Sequence, residues 1–260
     1  RLNTLLGRAQ VKFTPQLVRM IDVPDTQYRG RDGKRSIYLW SKTFNNTSND
    51  RLWQFFKTKG ISNVIVSASI RVNQDKLRSF LQQSATHNIN VELMLGSRHW
   101  VFKENQKSAL IRSVMTAERL GHLHLDIEPH TLPNYKNNRR RFLDAYGDFI
   151  ASVREQLSTG DKLSVSVPLH WDEKDYVLLD RLTDEIYLMS YENSDAEHLI
   201  NRIKPILDII DSRYVTIALR PQDFTDEWHM EKTIKKLIDH LGINKIAIHN
   251  TRSYLKQSEK

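Results

Sequence analysis

Between Gly121 and Pro129 four ionisable side chains, His122, His124, Asp126 and Glu128, alternate with Leu123, Leu125 and Ile127. This period of two is that of a β-strand, whose successive side chains leave on opposite faces. Asp126 and Glu128 then share a face, with Cα atoms about 6.5 Å apart. Two carboxylates confined together repel, and the one in the less solvated place keeps its proton to higher pH, which is how a general acid is made. Glu128, at the C-terminal end of the strand, is the candidate acid. Asp126, one layer below, is the group that orients it and tunes its charge. Two other readings fit the same residues. The carboxylates could form a buried structural pair satisfied by His124 or by an arginine. Alternatively, His122 and His124 could present two ring nitrogens to a metal ion, with His130, His170 or His249 completing the site.

Such a face needs a scaffold that turns the polar side of a strand inward at one end. Hydrophobic periodicity predicts strands at 36–40, 61–69, 90–96, 121–129, 162–168, 184–191, 214–219 and 245–249. Helical patterns follow them at 50–59, 73–87, 105–120, 139–157, 172–182, 194–211, 225–241 and 251–257, while 41–50 reads as a polar loop. This alternation predicts a parallel sheet closed on itself, a (β/α)8 TIM-type barrel of the α/β class. An open doubly wound sheet would bury both strand faces and read as unbroken Val, Ile and Leu. With the more apolar face turned to the helices, the inward face carries Tyr38 and Trp40, Ser67 and Ser69, Glu92, Met94 and Gly96, Ser164, Ser166 and His170, Tyr187, Met189 and Tyr191, Thr216, Ala218 and Arg220, and Ala247 and His249. Arg71, Arg98, Arg220 and Arg252 fall at or just after strand ends, where convergence at the barrel mouth would bind carboxylate or phosphate groups. Pairing of these arginines with Asp126, Glu128 or Glu92 is the structural alternative. Trp40, Trp100 and Trp171 stand beside the same strand ends, where their faces could stack on sugar rings.

Two segments, Leu125-Asp126-Ile127-Glu128 and Met189-Ser190-Tyr191-Glu192, resemble the chitinase-type, family-18-like glycoside hydrolases. In those barrels strand four ends in Asp-x-Asp-x-Glu and strand six carries Met-x-Tyr-Asp. The resemblance implies Glu128 as proton donor, Asp126 as its assistant, and Tyr191 as the tyrosine that helps hold the reacting sugar. His124 stands where the family has its first Asp, Glu192 where it has the Asp of strand six, and Ile248-His249-Asn250 where it usually has a Trp. Glu128-Pro129 also resembles the Asn-Glu-Pro acid/base of many retaining glycosidases, whose nucleophile at the end of strand seven is absent here, position 220 being Arg. The expected substrate-binding set is Tyr38, Trp40, Arg71, Arg98, Trp100, His124, His170, Trp171, Glu192, Arg220 and His249, with no metal and no cofactor.

At 260 residues the chain has the length of one barrel domain. That domain is expected at 36–260, behind a lead-in over 1–35 that packs on it and carries a helix at 15–21. No apolar run approaches the roughly 20 residues of a membrane span. The absence of cysteine excludes disulfides, thiolate metal sites and a Cys nucleophile. Of the compartments left open, a secreted or periplasmic one is favoured. The start at Arg1, without Met or an apolar leader, reads as a processing boundary. An excess of 39 Lys plus Arg over 31 Asp plus Glu gives +8 and favours anionic partners. Nucleic acid is not expected, because no basic helix is interleaved with aromatics and Arg139, Arg140 and Arg141 read as a solvated helix start. The expected function is cleavage of a polysaccharide, acidic or containing amino sugars, with Glu128 as the acid. A glycan-binding barrel without turnover and a metal-dependent phosphoester or amide hydrolase are the alternatives.

Overall fold

The computed structural model describes residues 34–258. The expected helix at 15–21 and the packing of the lead-in lie outside the described residues. The strands are β1 (Lys34–Leu39), β2 (Ile61–Ser67), β3 (Asn90–Leu95), β4 (His122–Leu125), β5 (Lys162–Pro168), β6 (Glu185–Met189), β7 (Val215–Leu219) and β8 (Lys245–Ile248). All neighbours are parallel and pair in sequence order until β8 closes on β1, so the expected barrel is the one found. Its helices are α1 (Ser41–Asn46), α2 (Asn49–Thr58), α3 (Gln74–Ser84), α4 (Lys103–Leu120), α5 (Tyr135–Gln156), α6 (Glu173–Leu182), α7 (Ala196–Leu207), α8 (Glu227–Leu241) and α9 (Thr251–Ser258).

Three of the boundaries that differ from expectation have clear physical reasons. The stretch read as a loop contains α1, whose polar sequence hides one anchoring side chain, the fully buried Phe44. The Lys76 ammonium fixes the end of that helix by donating to the carbonyl oxygens of Phe44 and Thr47. β4 stops at Leu125, not at 129, although Asp126 N–H still donates to Leu95 O at 2.9 Å and the side-chain alternation continues to Ile127, which is buried. α5 starts at Tyr135 and runs through a non-helical Asn138, so the loop after β4 is shorter than its Asn and Pro content suggests.

Two apolar layers follow from the strand period. Ile37, Leu39, Val64, Val66, Leu93, Leu95, Leu123 and Leu125 point outward into one continuous core with the helices. Inward, Tyr38, Ile65, Met94, Tyr187, Ala218 and Ala247 form a smaller cluster, with Trp40 and Tyr191 packed on it. The remaining interior is polar: Ser36, Asn63, Glu92, His124, Ser164, Ser166 and Thr216 are all buried. Such groups are retained only where hydrogen bonds replace lost water. Helix ends are set locally. Gly121 and Gly242 take left-handed conformations, φ 65° and 66°, that end α4 and α8 and turn the chain into β4 and towards β8. On the flank, Arg35 of β1 donates twice to Glu231 of α8, both at 2.6 Å, locking strand to helix.

Candidate active site

The site begins with a close approach of β3 and β4. A Cβ added to Gly96 would lie 1.9 Å from Asp126 O, so glycine there is what lets β4 rise beside the end of β3. The inward side chains beyond Leu125 are then Asp126 and Glu128, both partly open to solvent at the C-terminal end of the barrel. Burial, and then the neighbouring Glu128 charge, push the Asp126 carboxyl up to about 6, with His124 and Ser166 opposing the rise. Burial also raises Glu128 above the ordinary carboxylate range. Both groups therefore hold protons at a pH where free carboxylates have lost them. Tyr191, which follows β6, faces this pair, and its hydroxyl is raised by burial and by the charges of Asp126 and Glu128.

Around Tyr191 lies an aromatic wall. The His249 ring is 5.2 Å from that of Tyr191 and 5.2 Å from that of Tyr38. Trp40 donates through Nε1 to His249 Nε2 at 3.3 Å. Burial and the Arg220 cation push His249 down to about 4, so it is a neutral wall residue rather than a cation for an anionic group. The His249–Asn250 peptide is cis.

The four arginines do not converge. Arg220 is held by Asp223, with Nε and Nη2 at 3.0 and 2.8 Å from its two oxygens, and lies 5.1 Å over the Tyr191 ring. Asp223, which the sequence reading passed over, neutralises it. Arg98 donates to Thr131 O at 3.0 Å, tying the loop after β3 to the loop after β4. Arg71 is exposed beyond β2. Arg252, on α9, lines a cleft of about 270 Å³ with Lys42, Arg51 and Lys256, between α9 and α1. Arg252 is already inside α9, whose turn sets its direction, whereas Arg71 lies in the turn that precedes α3.

Several other expected contacts are displaced inward or outward. Trp100 is 8% exposed and packs on Phe149, and Trp171 is 6% exposed and packs edge-on against Tyr146 at 5.3 Å, so both serve the outer core. Tyr38 and His124 are 1% and 0% exposed, a layer below the mouth. His170 is exposed, 5.7 Å from His130. Glu192 has its side chain 84% exposed, takes φ 66°, and donates its N–H to Asp223 at 2.8 Å. Of the expected set, Tyr191 faces Asp126 and Glu128, His124 and Tyr38 lie beneath the pair, and His249 and Arg220 pack on Tyr191, with Trp40 behind His249.

Beneath the pair lies a network the sequence reading did not single out. Glu92 is 2% exposed and accepts from Asn63 Nδ2 at 2.7 Å, Tyr187 Oη at 2.7 Å and Ser164 Oγ at 2.9 Å. His122 Nε2 is 3.2 Å and His124 Nδ1 3.6 Å from the same carboxylate. Burial pushes this carboxyl up, but the hydrogen bonds and the two imidazoles outweigh it and hold it down at about 2. Glu92 is an anion with five partners, and both ring nitrogens of His124 are engaged by serines. His122 and His124 therefore serve a buried carboxylate. Among the described residues no group of three or more His, Asp or Glu side chains has the geometry to hold a metal. The signal available in the sequence was a lone glutamate in an apolar strand, one strand away from two inward histidines.

The closed parallel barrel, with its carboxylate pair at the C-terminal end of β4, is a TIM barrel. No protein-family model matches it, and neither does any curated protein sequence. Among solved structures, the Bacillus cereus spore cortex-lytic enzyme SleL matches with a TM-score of 0.64 at 11% identity, over 85% of this chain and 71% of that one. A chitinase from Bacteroides thetaiotaomicron matches with a TM-score of 0.62 at 10% identity, over 85% and 90%. The chain shares its barrel fold with these structures. Tryptophan synthase from Pyrococcus furiosus also matches, with a TM-score of 0.55 at 14% identity over 84% and 87%, so the likeness is one of fold and the chemistry has to be argued from the site.

Proposed function

We propose that this protein is a glycoside hydrolase that cleaves a polysaccharide with Glu128 as general acid. The observation that carries the reading is the Asp126 and Glu128 pair: two inward carboxylates at the barrel mouth, both raised by burial, beside a tyrosine. A carboxyl that holds its proton more tightly than an ordinary carboxylate can deliver it to a glycosidic oxygen as the bond breaks, an effect worth about 10²–10⁴-fold. Asp126 lies one layer below Glu128 on the same strand face, and the two charges repel there. Tyr191 offers a hydroxyl that cannot ionise in this site and so remains a donor to the sugar. Structures named as a cortex-lytic enzyme and as chitinases share the fold, which supports an amino-sugar polymer as the first substrate to test. The charge of the mouth does not favour an acidic glycan, because Arg220 is already paired.

The test is incubation of the purified protein with amino-sugar, neutral and acidic polysaccharides while reducing ends are measured. Release from at least one amino-sugar polymer is expected. Binding without release would make the protein a glycan-binding barrel, and neither binding nor release across the panel would overturn the reading.

A further inference from the structure

The cleft between α1 and α9 shares no lining residue with the carboxylate site, and helix geometry sets its walls. Lys42, Thr43 and Asn46 lie on one face of α1, with Thr47 just past its end. Across from them Arg252, Leu255 and Lys256 follow one another at i, i+3 and i+4 on α9, the spacing that brings side chains together on a helix surface. Arg51, from the first turn of α2, completes a cleft of about 270 Å³. Each wall is fixed from behind. The buried Phe44 anchors α1, and Asn45 ties it to the loop after β2 by donating to Arg71 O at 2.8 Å and accepting from Asn73 N at 2.9 Å. Lys76 donates to the carbonyl oxygens of Phe44 and Thr47, so the helix-end oxygens that would repel an anion are taken by a cation. On the other side Thr251 donates to Tyr38 O at 2.8 Å and the buried Tyr254 donates to Glu227 at 2.8 Å, which holds α9. A ligand entering the cleft need not order its backbone first.

The lining selects for charge and for shape. Four of its side chains, Lys42, Arg51, Arg252 and Lys256, are cationic, and among the described residues no carboxylate lines the cleft. Lys42, Arg252 and Lys256 form no ion pair among the described residues, unlike Arg220, whose charge is met by Asp223. Among these cations stand neutral donors, the hydroxyls of Thr43 and Thr47 and the amide of Asn46. A carboxylate would bring one negative charge and two oxygens in a plane. A phosphate monoester brings a charge of about −1.5 to −2 at neutral pH and three strong acceptor oxygens in a tetrahedral array, which suits both the cation count and the neutral donors around it. We propose that the cleft between α1 and α9 binds a doubly charged phosphoryl group, either free phosphate or the ester of a small molecule. The Arg252 guanidinium offers a fork that takes two of its oxygens at once, and Lys42 and Lys256 act as point charges from opposite walls. Leu255 adds apolar surface on which the body of an ester can rest. The argument uses neither Glu128 nor the reaction assigned to it.

The experiment is calorimetric titration of the whole chain, in a phosphate-free buffer at low salt, with glucose 6-phosphate, inorganic phosphate and glucuronate. Saturable binding of one phosphoryl ligand per chain is expected, with glucuronate weaker by about tenfold because it carries less charge and fewer oxygens. Equal affinities for inorganic phosphate and the ester would identify the free ion as the ligand, and a tighter ester would add recognition of its organic body; both outcomes support the site. Arg252→Met should weaken binding by about tenfold through loss of the fork. Lys42→Met, on the opposite wall, should weaken it by about two- to fivefold, as suits an exposed charge. Lys107→Met, which removes an exposed cation of α4, should change nothing. Thermal melts establish that each variant is folded, and either wall variant suffices if the other is not. No saturable binding of either phosphoryl ligand overturns the proposal. So does glucuronate binding as tightly as the ester, or a loss in Lys107→Met equal to that in Arg252→Met, which would reduce the effect to attraction by net charge. Failure of every polysaccharide assay would remove the hydrolase reading and leave this result standing or falling by itself.

Discussion

At the scale of single residues, Asp126 and Glu92 show how one barrel interior moves two carboxylates in opposite directions. Glu92 is surrounded by donors and held down at about 2, so the stability it brings is fully present above the ordinary carboxylate range and is lost as pH falls towards 2. Asp126 is raised to about 6, so the folded state binds its proton more tightly than the unfolded chain does, and stability falls as pH rises from about 4 to 6. Asp126→Asn removes that penalty. The variant should be more stable than wild type by up to about 3 kcal/mol above pH 6 and show no gain at pH 4, as read by urea denaturation at the two pH values. Much of this pair was legible in the sequence, because alternation alone puts Asp126 and Glu128 on one face. The network beneath was not, since the partners of Glu92 come from β2, β4, β5 and β6 and no spacing along one strand shows them.

At the scale of elements, the position of the pair depends on the ends of β3 and β4. Gly96 is where their backbones meet, and an added methyl group would sit 1.9 Å from Asp126 O. Gly96→Ala should therefore force the strand ends apart, costing about 1–3 kcal/mol of stability and about 10²-fold in kcat, because small displacements of reacting groups are amplified in rate. Thermal melts and steady-state kinetics on one preparation would check both, and an unchanged kcat would show that β4 carries the site without help from β3. The strands themselves were readable, because outward Val, Ile and Leu alternate with inward polar residues. Helix α1 was not, as a six-residue polar segment has one anchor, Phe44, and no periodic face. Trp100 and Trp171 were placed at the right end of the barrel, but loop residues there turn back into the outer core, a choice that packing makes and sequence position does not.

At the scale of the whole molecule, a charge of +8 suggested an anionic substrate, yet charge works through where it is placed. Arg220 is neutralised by Asp223, and Arg252 lies with Lys42, Arg51 and Lys256 on the flank between α1 and α9. Length-matched neutral and acidic oligosaccharides should therefore bind with affinities within about threefold of each other at physiological salt. A preference for the acidic one that vanishes in Arg220→Met, measured by calorimetry, would restore the arginine to substrate recognition. The fold and the site together make one central claim, that Glu128 gives a proton to the departing glycosidic oxygen. The most direct measurement compares Glu128→Gln with wild type on two substrates sharing one sugar, a natural glycosidic linkage and an aryl glycoside whose leaving group departs without protonation. The account predicts that the variant loses about 10²–10⁴-fold on the natural linkage and far less on the aryl glycoside. An unchanged rate on the natural linkage, or an equal loss on both, would contradict it.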